Sequence, residues 1–221
     1  MCGRYSFAIE DDLIMERFGI RVRTAIYKAT YNCAPSQDLA VISNGNPGSL
    51  SFYRWGLIPY WAKDPAIGNR MINARSETLL EKASFKYVFR RNRCLVLADS
   101  FFEWKKDHGK IPYRILLKSR APFAMAGIWD RWVSNTGEIV HSFAILTTKA
   151  NELMLPIHDR MPVMLLPEDE KAWLEKPTET ELTSLLKPYP PEAMEAYPIS
   201  CLVNSPQNNG PDIIKPLTID S

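Results

Sequence analysis

Near the middle of the chain stands the sequence Arg93-Cys94-Leu95-Val96-Leu97-Ala98-Asp99-Ser100-Phe101-Phe102-Glu103-Trp104. Its first half is a short apolar run, which is typical of a buried β-strand over Cys94–Ala98. Asp99 and Ser100 interrupt the run, and the aromatic residues that follow favour a second strand over Phe101–Lys105. Two strands in such close succession predict a β-rich centre for the chain.

Further strand patterns lie on both sides of this segment. Short runs rich in β-branched and aromatic residues predict strands at Leu39–Ile42, Leu50–Trp55, Tyr113–Leu117, Phe123–Ile128, Val140–Thr147, Met161–Leu166 and Tyr197–Val203. Turn residues at Asn44–Gly48 and Asp107–Lys110 separate neighbouring runs and predict hairpins.

Helical patterns are fewer. Apolar residues at helical spacing predict helices at Ile9–Phe18, Ser76–Arg90, Glu168–Leu174 and Thr178–Leu186. Because helices and strands do not alternate along the chain, the pattern predicts the α+β class rather than a parallel α/β fold. We expect a mixed, largely antiparallel, barrel-like sheet with peripheral helices, and a single domain over residues 1–221.

The composition is that of a protein with a full hydrophobic core. The chain has 221 residues, of which 46% are hydrophobic, and a chain of this size can fold without disulfides or metals. Its cysteines, Cys2, Cys33, Cys94 and Cys201, form no C-x-x-C pair and stand at no zinc-finger spacing to a histidine. We therefore expect no disulfide framework, no metal site and no cofactor.

Charge and hydropathy indicate where in the cell the protein is expected and which kinds of partner it can bind. The net charge of +2 gives no global polycation signal, although a local basic groove would be enough to bind nucleic acid. Residues Met1–Ser6 lack the apolar region of a signal peptide, and no stretch is long and apolar enough to span a bilayer. We expect a cytoplasmic protein without a membrane partner.

The cysteine at position 2 has a chemistry that no internal cysteine can supply. If Met1 is removed, Cys2 becomes N-terminal and carries an amine and a thiol on adjacent carbons. Such a group condenses with an aldehyde to an imine, which the thiol closes to a five-membered thiazolidine ring. An α-amine has a pKa of about 7.7–8.0, so a useful fraction is neutral near pH 7. The alternative is that Met1 stays and the position of Cys2 is accidental.

Asn73 and Arg75 form a second polar feature, just before the predicted helix start at Ser76. A carboxamide and a guanidinium placed there can hold an anion at a helix N-terminus. The alternative is that Asn73 supports a turn and that Arg75 is a solvated charge.

Glu103 stands in a dense aromatic and apolar run. If its side chain faces inward, burial would raise its pKa and make it a proton donor near neutral pH. If it faces outward, it is an ordinary exposed strand residue. Strand alternation alone does not choose between these two possibilities.

His158 is flanked by prolines and followed by the charged pair Asp159-Arg160. This rigid, polar setting suits a proton shuttle. The alternative is a structural histidine, since no second histidine stands at metal-ligand spacing.

Six motifs occur together and in order: Met1–Arg4, Tyr31–Pro35, Trp55–Trp61, Ile72–Thr78, Phe101–Trp104 and Ile157–Pro162. In this combination the chain resembles the SRAP family, the SOS-response-associated peptidases. The resemblance implies a sensor and shield of abasic sites in single-stranded DNA, classified as a lyase- or peptidase-type enzyme. It implies a reversible covalent thiazolidine crosslink to the ring-opened sugar and self-processing ahead of the cysteine. We also expect a monomer that is associated with the nucleoid when it is bound to DNA.

The resemblance also assigns roles to individual residues. Cys2 would be the nucleophile, Glu103 the acid and base during ring opening, and His158 an aid to proton transfer. Asn73 would position Cys2 or the opened sugar. The residues that would bind phosphates or stack on bases beside the lesion are Arg4, Asn32, Trp61, Arg75 and Thr147.

Three other classes of protein compete with this interpretation. One is an N-terminal-nucleophile amidohydrolase, in which the α-amine of the cysteine acts as the base. Its usual four-layer architecture needs long helix pairs, which the chain lacks. The others are a non-catalytic module that binds single-stranded nucleic acid, and a Cys-His protease that uses Cys2 and His158.

Overall fold

A computed structural model describes residues 2–20, 27–106, 110–175 and 178–217, with Lys106 described by its backbone alone. Within these ranges the chain forms twelve β-strands and four α-helices. The strands are β1 (Arg4–Phe7), β2 (Thr30–Cys33), β3 (Asp38–Ser43), β4 (Asn46–Trp55), β5 (Asn73–Arg75), β6 (Arg93–Ala98), β7 (Ser100–Lys106), β8 (Lys110–Leu117), β9 (Phe123–Val133), β10 (Ile139–Lys149), β11 (Arg160–Pro162) and β12 (Met194–Pro198). The helices are α1 (Asp11–Phe18), α2 (Ala83–Arg91), α3 (Pro167–Leu174) and α4 (Glu179–Ser184). Met1 and the predicted turn residues Asp107, His108 and Gly109 lie outside the described residues.

Five strands close into a barrel. Their order is β10-β4-β3-β6-β9, and β9 pairs again with β10 to complete the ring. The β10–β4 pair is parallel, with Phe143 opposite Trp55, and the other four pairs are antiparallel. The prediction of an α+β fold with a mixed, largely antiparallel, barrel-like sheet is confirmed.

Strand β6 explains why the central apolar run is continuous. Every residue of β6 is buried, because the strand lies between β3 and β9 in the barrel and helices α2 and α3 also pack against it. Helix α2 contributes Phe85, Val88 and Phe89 to this layer, and α3 contributes Trp173. A strand covered on both faces needs apolar residues at successive positions rather than at alternate ones.

A second sheet, of order β12-β8-β7-β1-β2, is antiparallel throughout. It meets the barrel where the ring of Tyr5 contacts the ring of Trp55, with centroids 5.2 Å apart. Strand β1 pairs with β7 so that Arg4 stands opposite Phe102. Continued by one residue, this register sets Gly3 opposite Glu103. The residues before β1 therefore lie beside Glu103 of β7.

The two sheets share one hydrophobic core. Residues of this core come from β1, β7 and β8 as well as from the barrel strands. The prediction that residues 1–221 form a single domain stays a prediction. Among the described helices, none combines the length and the apolar character needed to cross a bilayer.

The predicted helix Ser76–Arg90 is wrong in its first part. Residues Ser76–Thr78 form a single 3-10 turn, and α2 begins only at Ala83. The cause is the short strand β5, which pairs with β10 and holds Arg75 in an extended conformation directly before Ser76. The chain must leave the sheet before a helix can begin.

Two predicted strands are also wrong in their extent. The predicted strand Tyr197–Val203 is replaced by β12, which ends at Pro198, and by a 3-10 turn at Cys201–Asn204. Of the predicted strand Met161–Leu166, only the first two residues belong to β11, which ends at Pro162. Both strands stop at a proline, which has no N–H group to donate to a strand ladder.

Gly56 closes the base of the loop 57–71 and leaves no room for a side chain. Its φ of 125° favours glycine, and a Cβ there would lie 2.6 Å from the carbonyl oxygen of Gly68. We expect Gly56→Ala to lower the free energy of unfolding by about 1–3 kcal/mol, measured by urea titration. Gly48→Ala is the matched control, because its Cβ would meet no atom within 4 Å. Equal stability of the two variants would contradict the described packing.

Candidate active site

Cys2 is buried beside β5, at the point where β1 begins. Asn73 donates from Nδ2 to the carbonyl oxygen of Cys2 at 2.8 Å, and the thiol sulfur lies 3.8 Å from the carbonyl oxygen of Arg4. Asn73 is itself fixed by the pairing of β5 with β10, where it stands opposite Ile145. Its Oδ1 is buried and has no hydrogen-bond partner among the described residues. The barrel therefore holds the backbone of residue 2 through one carboxamide.

Glu103 faces inward, which answers the question that strand alternation left open. It is only 2% exposed. Burial raises the pKa of its carboxyl, and the charge of His158 opposes part of that rise. Burial also raises the pKa of the Cys2 thiol, and the charge of Glu103 adds to the effect. The carboxyl of Glu103 is therefore close enough to the thiol of Cys2 to influence its protonation.

His158 follows a short turn at residues 152–157, and its side chain is one-fifth exposed. The backbone N–H of Arg160 donates to its Nδ1 at 3.0 Å. The Asp159 carboxylate lies 3.0 Å from the same nitrogen, but it is 84% exposed and therefore well screened by solvent. Since Nδ1 accepts the backbone hydrogen bond, the neutral ring carries its proton on Nε2. His158 is thus arranged as a donor through Nε2.

An open cleft of about 390 Å³ gives access to Glu103 and His158. It is lined by Glu103, Trp104, Lys110, His158 and Asn204. The indole N–H of Trp104 donates to Oδ1 of Asn204 at 2.8 Å, which turns the Asn204 carboxamide nitrogen away from the indole. Sequence reasoning missed Trp104, Lys110 and Asn204. Only Trp104 carried a local signal, its position next to Glu103.

Three of the predicted DNA contacts have partners inside the protein. Arg4 donates to Oδ1 of Asn32 at 2.8 Å and to the carbonyl oxygen of Val203 at 2.7 Å. Asn32 is fully buried, and so is Thr147, whose Oγ1 accepts from Arg160 at 3.2 Å. In this structure the three residues hold the protein together, and their contact with DNA stays a prediction.

Two other predicted DNA contacts are exposed. Arg75 follows Asn73 by two residues in β5, so the two side chains leave the strand on the same face. Arg75 is exposed and makes no ion pair or hydrogen bond with any other described residue. Trp61, in the loop 57–71, is half exposed. Contact of Arg75 and Trp61 with DNA also stays a prediction.

Arg160 is a further residue of this region that sequence reasoning did not single out. Its guanidinium binds both carboxylate oxygens of Glu77, at 2.5 and 2.9 Å, and this bond lowers the pKa of Glu77. The ion pair connects the segment that carries His158 to the 3-10 turn Ser76–Thr78, which directly follows β5 and its Asn73. The sequence signal that could have identified Arg160 is its position directly after His158-Asp159.

Together these groups can perform proton transfer around a carbonyl carbon. A carboxyl with a raised pKa can donate a proton near neutral pH and then act as a base. A cysteine held beside it is placed for covalent attack. These features define a class of α+β proteins with a closed mixed barrel and a buried cysteine near the start of the chain.

The chain belongs to the SRAP family. The family profile, described as SOS response associated peptidase, matches residues 1–206. The chain is 50% identical over 223 residues to the abasic site processing protein YoqW of Bacillus subtilis (strain 168), covering 97% of this chain and 99% of that protein. It is 32% identical over 222 residues to the abasic site processing protein HMCES of Xenopus tropicalis, covering 84% of this chain and 65% of that protein.

The fold has close relatives among solved structures. A crystal structure of a protein from Bacteroides thetaiotaomicron superposes with a TM-score of 0.90 at 33% identity and covers 98% of this chain and 100% of that chain. A second, from Bordetella bronchiseptica, gives a TM-score of 0.81 at 25% identity and covers 90% of this chain and 100% of that chain. The chain therefore shares its overall fold with these two solved structures.

The buried carboxyl of Glu103 predicts a pH-dependent stability. The pKa of this carboxyl is raised in the folded state. Its contribution to the free energy of unfolding is therefore fully present below the unfolded pKa of about 4.3, and it is lost as the pH rises through the folded pKa. Glu103→Gln removes this loss. We therefore expect the free energy of unfolding of the variant, relative to the parent, to increase between about pH 4 and pH 8.

Urea titrations at several pH values in that range measure the difference. Glu138→Gln, at an exposed position, is the matched control. If the difference between Glu103→Gln and the parent is the same at every pH, the described burial of the carboxyl is contradicted.

Proposed function

We propose that the chain processes abasic sites in single-stranded DNA and bonds to them covalently through Cys2 once Met1 has been removed. The observation that carries the proposal is that Asn73 and Glu103 both act on residue 2, with His158 next in line beside Glu103. Asn73 binds the backbone of residue 2, Glu103 acts on its thiol, and His158 acts on Glu103. Relatives that carry the name abasic site processing protein support the choice of substrate.

The proposed bond formation begins with opening of the sugar ring. Glu103 donates its proton to the ring oxygen as the C1′–O4′ bond breaks, and takes up the proton of the C1′ hydroxyl. The aldehyde is then exposed at C1′. A general acid of this kind contributes about 10²- to 10⁴-fold to the rate.

The aldehyde then condenses with the aminothiol of Cys2. The α-amine adds to C1′, and water leaves with a proton from Glu103, which recovers it from the nitrogen. The thiol adds to the imine carbon, and its proton passes to the nitrogen. One water is released overall, both nitrogen and sulfur end on C1′, and no cofactor enters the balance.

His158 and Asn73 support these steps in different ways. Nε2–H of His158 is a donor for the oxygen that leaves as water, because Nδ1 is occupied by a backbone N–H. Asn73 holds the Cys2 carbonyl, so that the amine and the thiol start from one geometry. The reverse sequence of proton transfers releases the crosslink.

The proposed preference for single strands follows from the demands of binding. An abasic nucleotide in a single strand has no partner strand to leave, and aromatic side chains can stack on the unpaired bases beside it. Trp61 is exposed for stacking, and Arg75 stands on the face of β5 that carries Asn73. We assign phosphate binding to Arg75.

The peptidase description of the family fits a limited self-processing step. We propose that peptide cleavage by this chain is confined to the bond before Cys2. The competing amidohydrolase class is not favoured, because the described strands form a closed barrel with one neighbouring sheet rather than two stacked sheets between helices.

Incubation with single-stranded DNA that contains one abasic site, followed by a denaturing gel, tests the function. Protein shown by intact mass to lack Met1 should give a heat-stable shifted band. Cys2→Ala should give none. Cys2→Ser and Cys2→Ala both keep the α-amine, so each should give a band only after borohydride reduction of the imine.

Cys201→Ala is the matched control, since Cys201 is an exposed cysteine outside the site, and it should crosslink like the parent. If processed parent protein gives no heat-stable band, the proposed function is wrong. A heat-stable band with Cys2→Ala would move the chemistry to another residue.

Substitution of Asn73 should slow crosslinking without removing the aminothiol. Asn73→Asp replaces the donor by a carboxylate oxygen that repels the Cys2 carbonyl, and misplacement by about 1 Å costs roughly 100-fold in rate. Single-turnover gels measure the rate. Asn69→Asp, on the exposed part of the loop, serves as the control and should keep the parent rate. An unchanged rate for Asn73→Asp would remove the carboxamide from the mechanism.

A further inference from the structure

Three exposed aromatic residues stand close together outside the cleft. Tyr60 is 61% exposed, Trp61 is 50% exposed and Tyr87 is 48% exposed. No other aromatic residue in the described part of the chain is classed as exposed. The rings of Tyr60 and Tyr87 contact each other, with centroids 6.1 Å apart, so the loop 57–71 and helix α2 form one surface.

Helix α2 places Tyr87 in a basic stripe. The α2 stripe consists of Ala83, Lys86, Tyr87, Arg90 and Arg91, which recur at helical spacing and line a shallow depression of about 290 Å³. The opposite face of the helix is already buried in the core through Phe85, Val88 and Phe89. The residues of the α2 stripe therefore take no part in the packing of the helix against the core.

The charges of the α2 stripe remain positive after its internal contacts are counted. Arg90 is paired with the exposed carboxylate of Glu179. Arg91 lies over the ring of Tyr87, 4.7 Å from the centroid, and donates to its hydroxyl at 2.9 Å. Three cations against one carboxylate leave a surface that attracts anions, with a tyrosine ring held between them.

This surface is connected to the candidate active site through the loop 57–71. The backbone N–H of Leu57 donates to the carbonyl oxygen of Met71 at 3.0 Å, which closes the base of the loop. Two residues after Met71 comes Asn73, which binds Cys2. A strand that leaves the site across Trp61 would reach Tyr60 and then the α2 stripe.

We infer that the α2 stripe, together with Tyr60, binds the single-stranded DNA that flanks the lesion. Phosphates occupy the depression beside Lys86 and Arg91, and unpaired bases stack on the exposed rings. This inference rests on the proposed function and names a second contact area for the same substrate. Exposed aromatic rings favour a single strand over a duplex, because paired bases offer no free face.

The test compares a short and a long oligonucleotide. The short one carries the abasic site with one nucleotide on each side, and the inference places the α2 stripe beyond its ends. The long one carries about ten nucleotides on each side. Crosslinking rate is measured on the short one, and equilibrium affinity and its salt dependence on a long strand without the lesion.

The double variant Lys86→Gln/Arg91→Gln should bind the long strand less tightly. Its slope of log K against log salt should fall by about 1.4, since each lost phosphate contact on a single strand removes about 0.7. Tyr87→Ala should weaken binding of the long strand roughly ten-fold through lost stacking. All these variants should crosslink the short oligonucleotide at the parent rate.

Lys171→Gln/Lys215→Gln is the charge-matched control, because both lysines are exposed on other parts of the surface. If the α2 variants match this control in affinity and slope, the inference is overturned. It is also overturned if their loss is greater with duplex flanks than with single-stranded flanks. If the parent fails to crosslink either abasic oligonucleotide, the proposed function fails, whatever the α2 stripe binds.

Discussion

The pairing of β1 with β7 is the constraint on which the site depends. Arg4 stands opposite Phe102, and Asp99 fixes this register by accepting hydrogen bonds from the Ser6 hydroxyl and from the backbone N–H of Ala8. A slip by one residue would turn every side chain of β1 to the other face. Because this register is fixed, the residues before β1 lie beside the buried carboxyl of Glu103 in β7. The barrel contributes the second restraint, through Asn73 of β5.

Burial shifts the protonation of Glu103 and Cys2, and it also has an energetic cost for folding. Glu103 and the thiol of Cys2 are both nearly inaccessible to solvent, so each favours its neutral form. A protonated carboxyl is the state that the proposed ring opening requires. The same burial makes the ionised carboxyl unfavourable for folding. The site therefore gives up some stability for reactivity, as expected where function needs an ionisable group inside a protein.

Most of the barrel could be predicted because its strands carry strong local signals. The apolar run of β6 reflects the cover of this strand on both faces. Strands β1, β2 and β5 have only three or four residues, too few for a periodic pattern, and form through pairing with distant strands. The false start at Ser76 has the same origin, since its neighbour β5 belongs to a long-range pair.

The site residues divide in the same way. Cys2, Glu103 and His158 could be proposed from side-chain chemistry and motif, but the direction of Glu103 depends on the sheet beside it. Asn204 reaches Trp104 across 100 residues of sequence, a contact that no local pattern indicates. Asn32 shows a role that its motif did not indicate: its carboxamide binds backbone carbonyl groups of residues 203–208, far away along the chain. Its contact with DNA stays a prediction.

The central claim is that the amine and the thiol of Cys2 end on one sugar carbon. Nuclear magnetic resonance tests it directly, with ¹³C at C1′ of the abasic site and ¹⁵N in the cysteines of protein that lacks Met1. We expect a saturated C1′ carbon coupled to the cysteine nitrogen, with the chemical shift of a carbon that bears both nitrogen and sulfur. An imine or aldehyde carbon, or a C1′ carbon bonded to sulfur without nitrogen coupling, would contradict it.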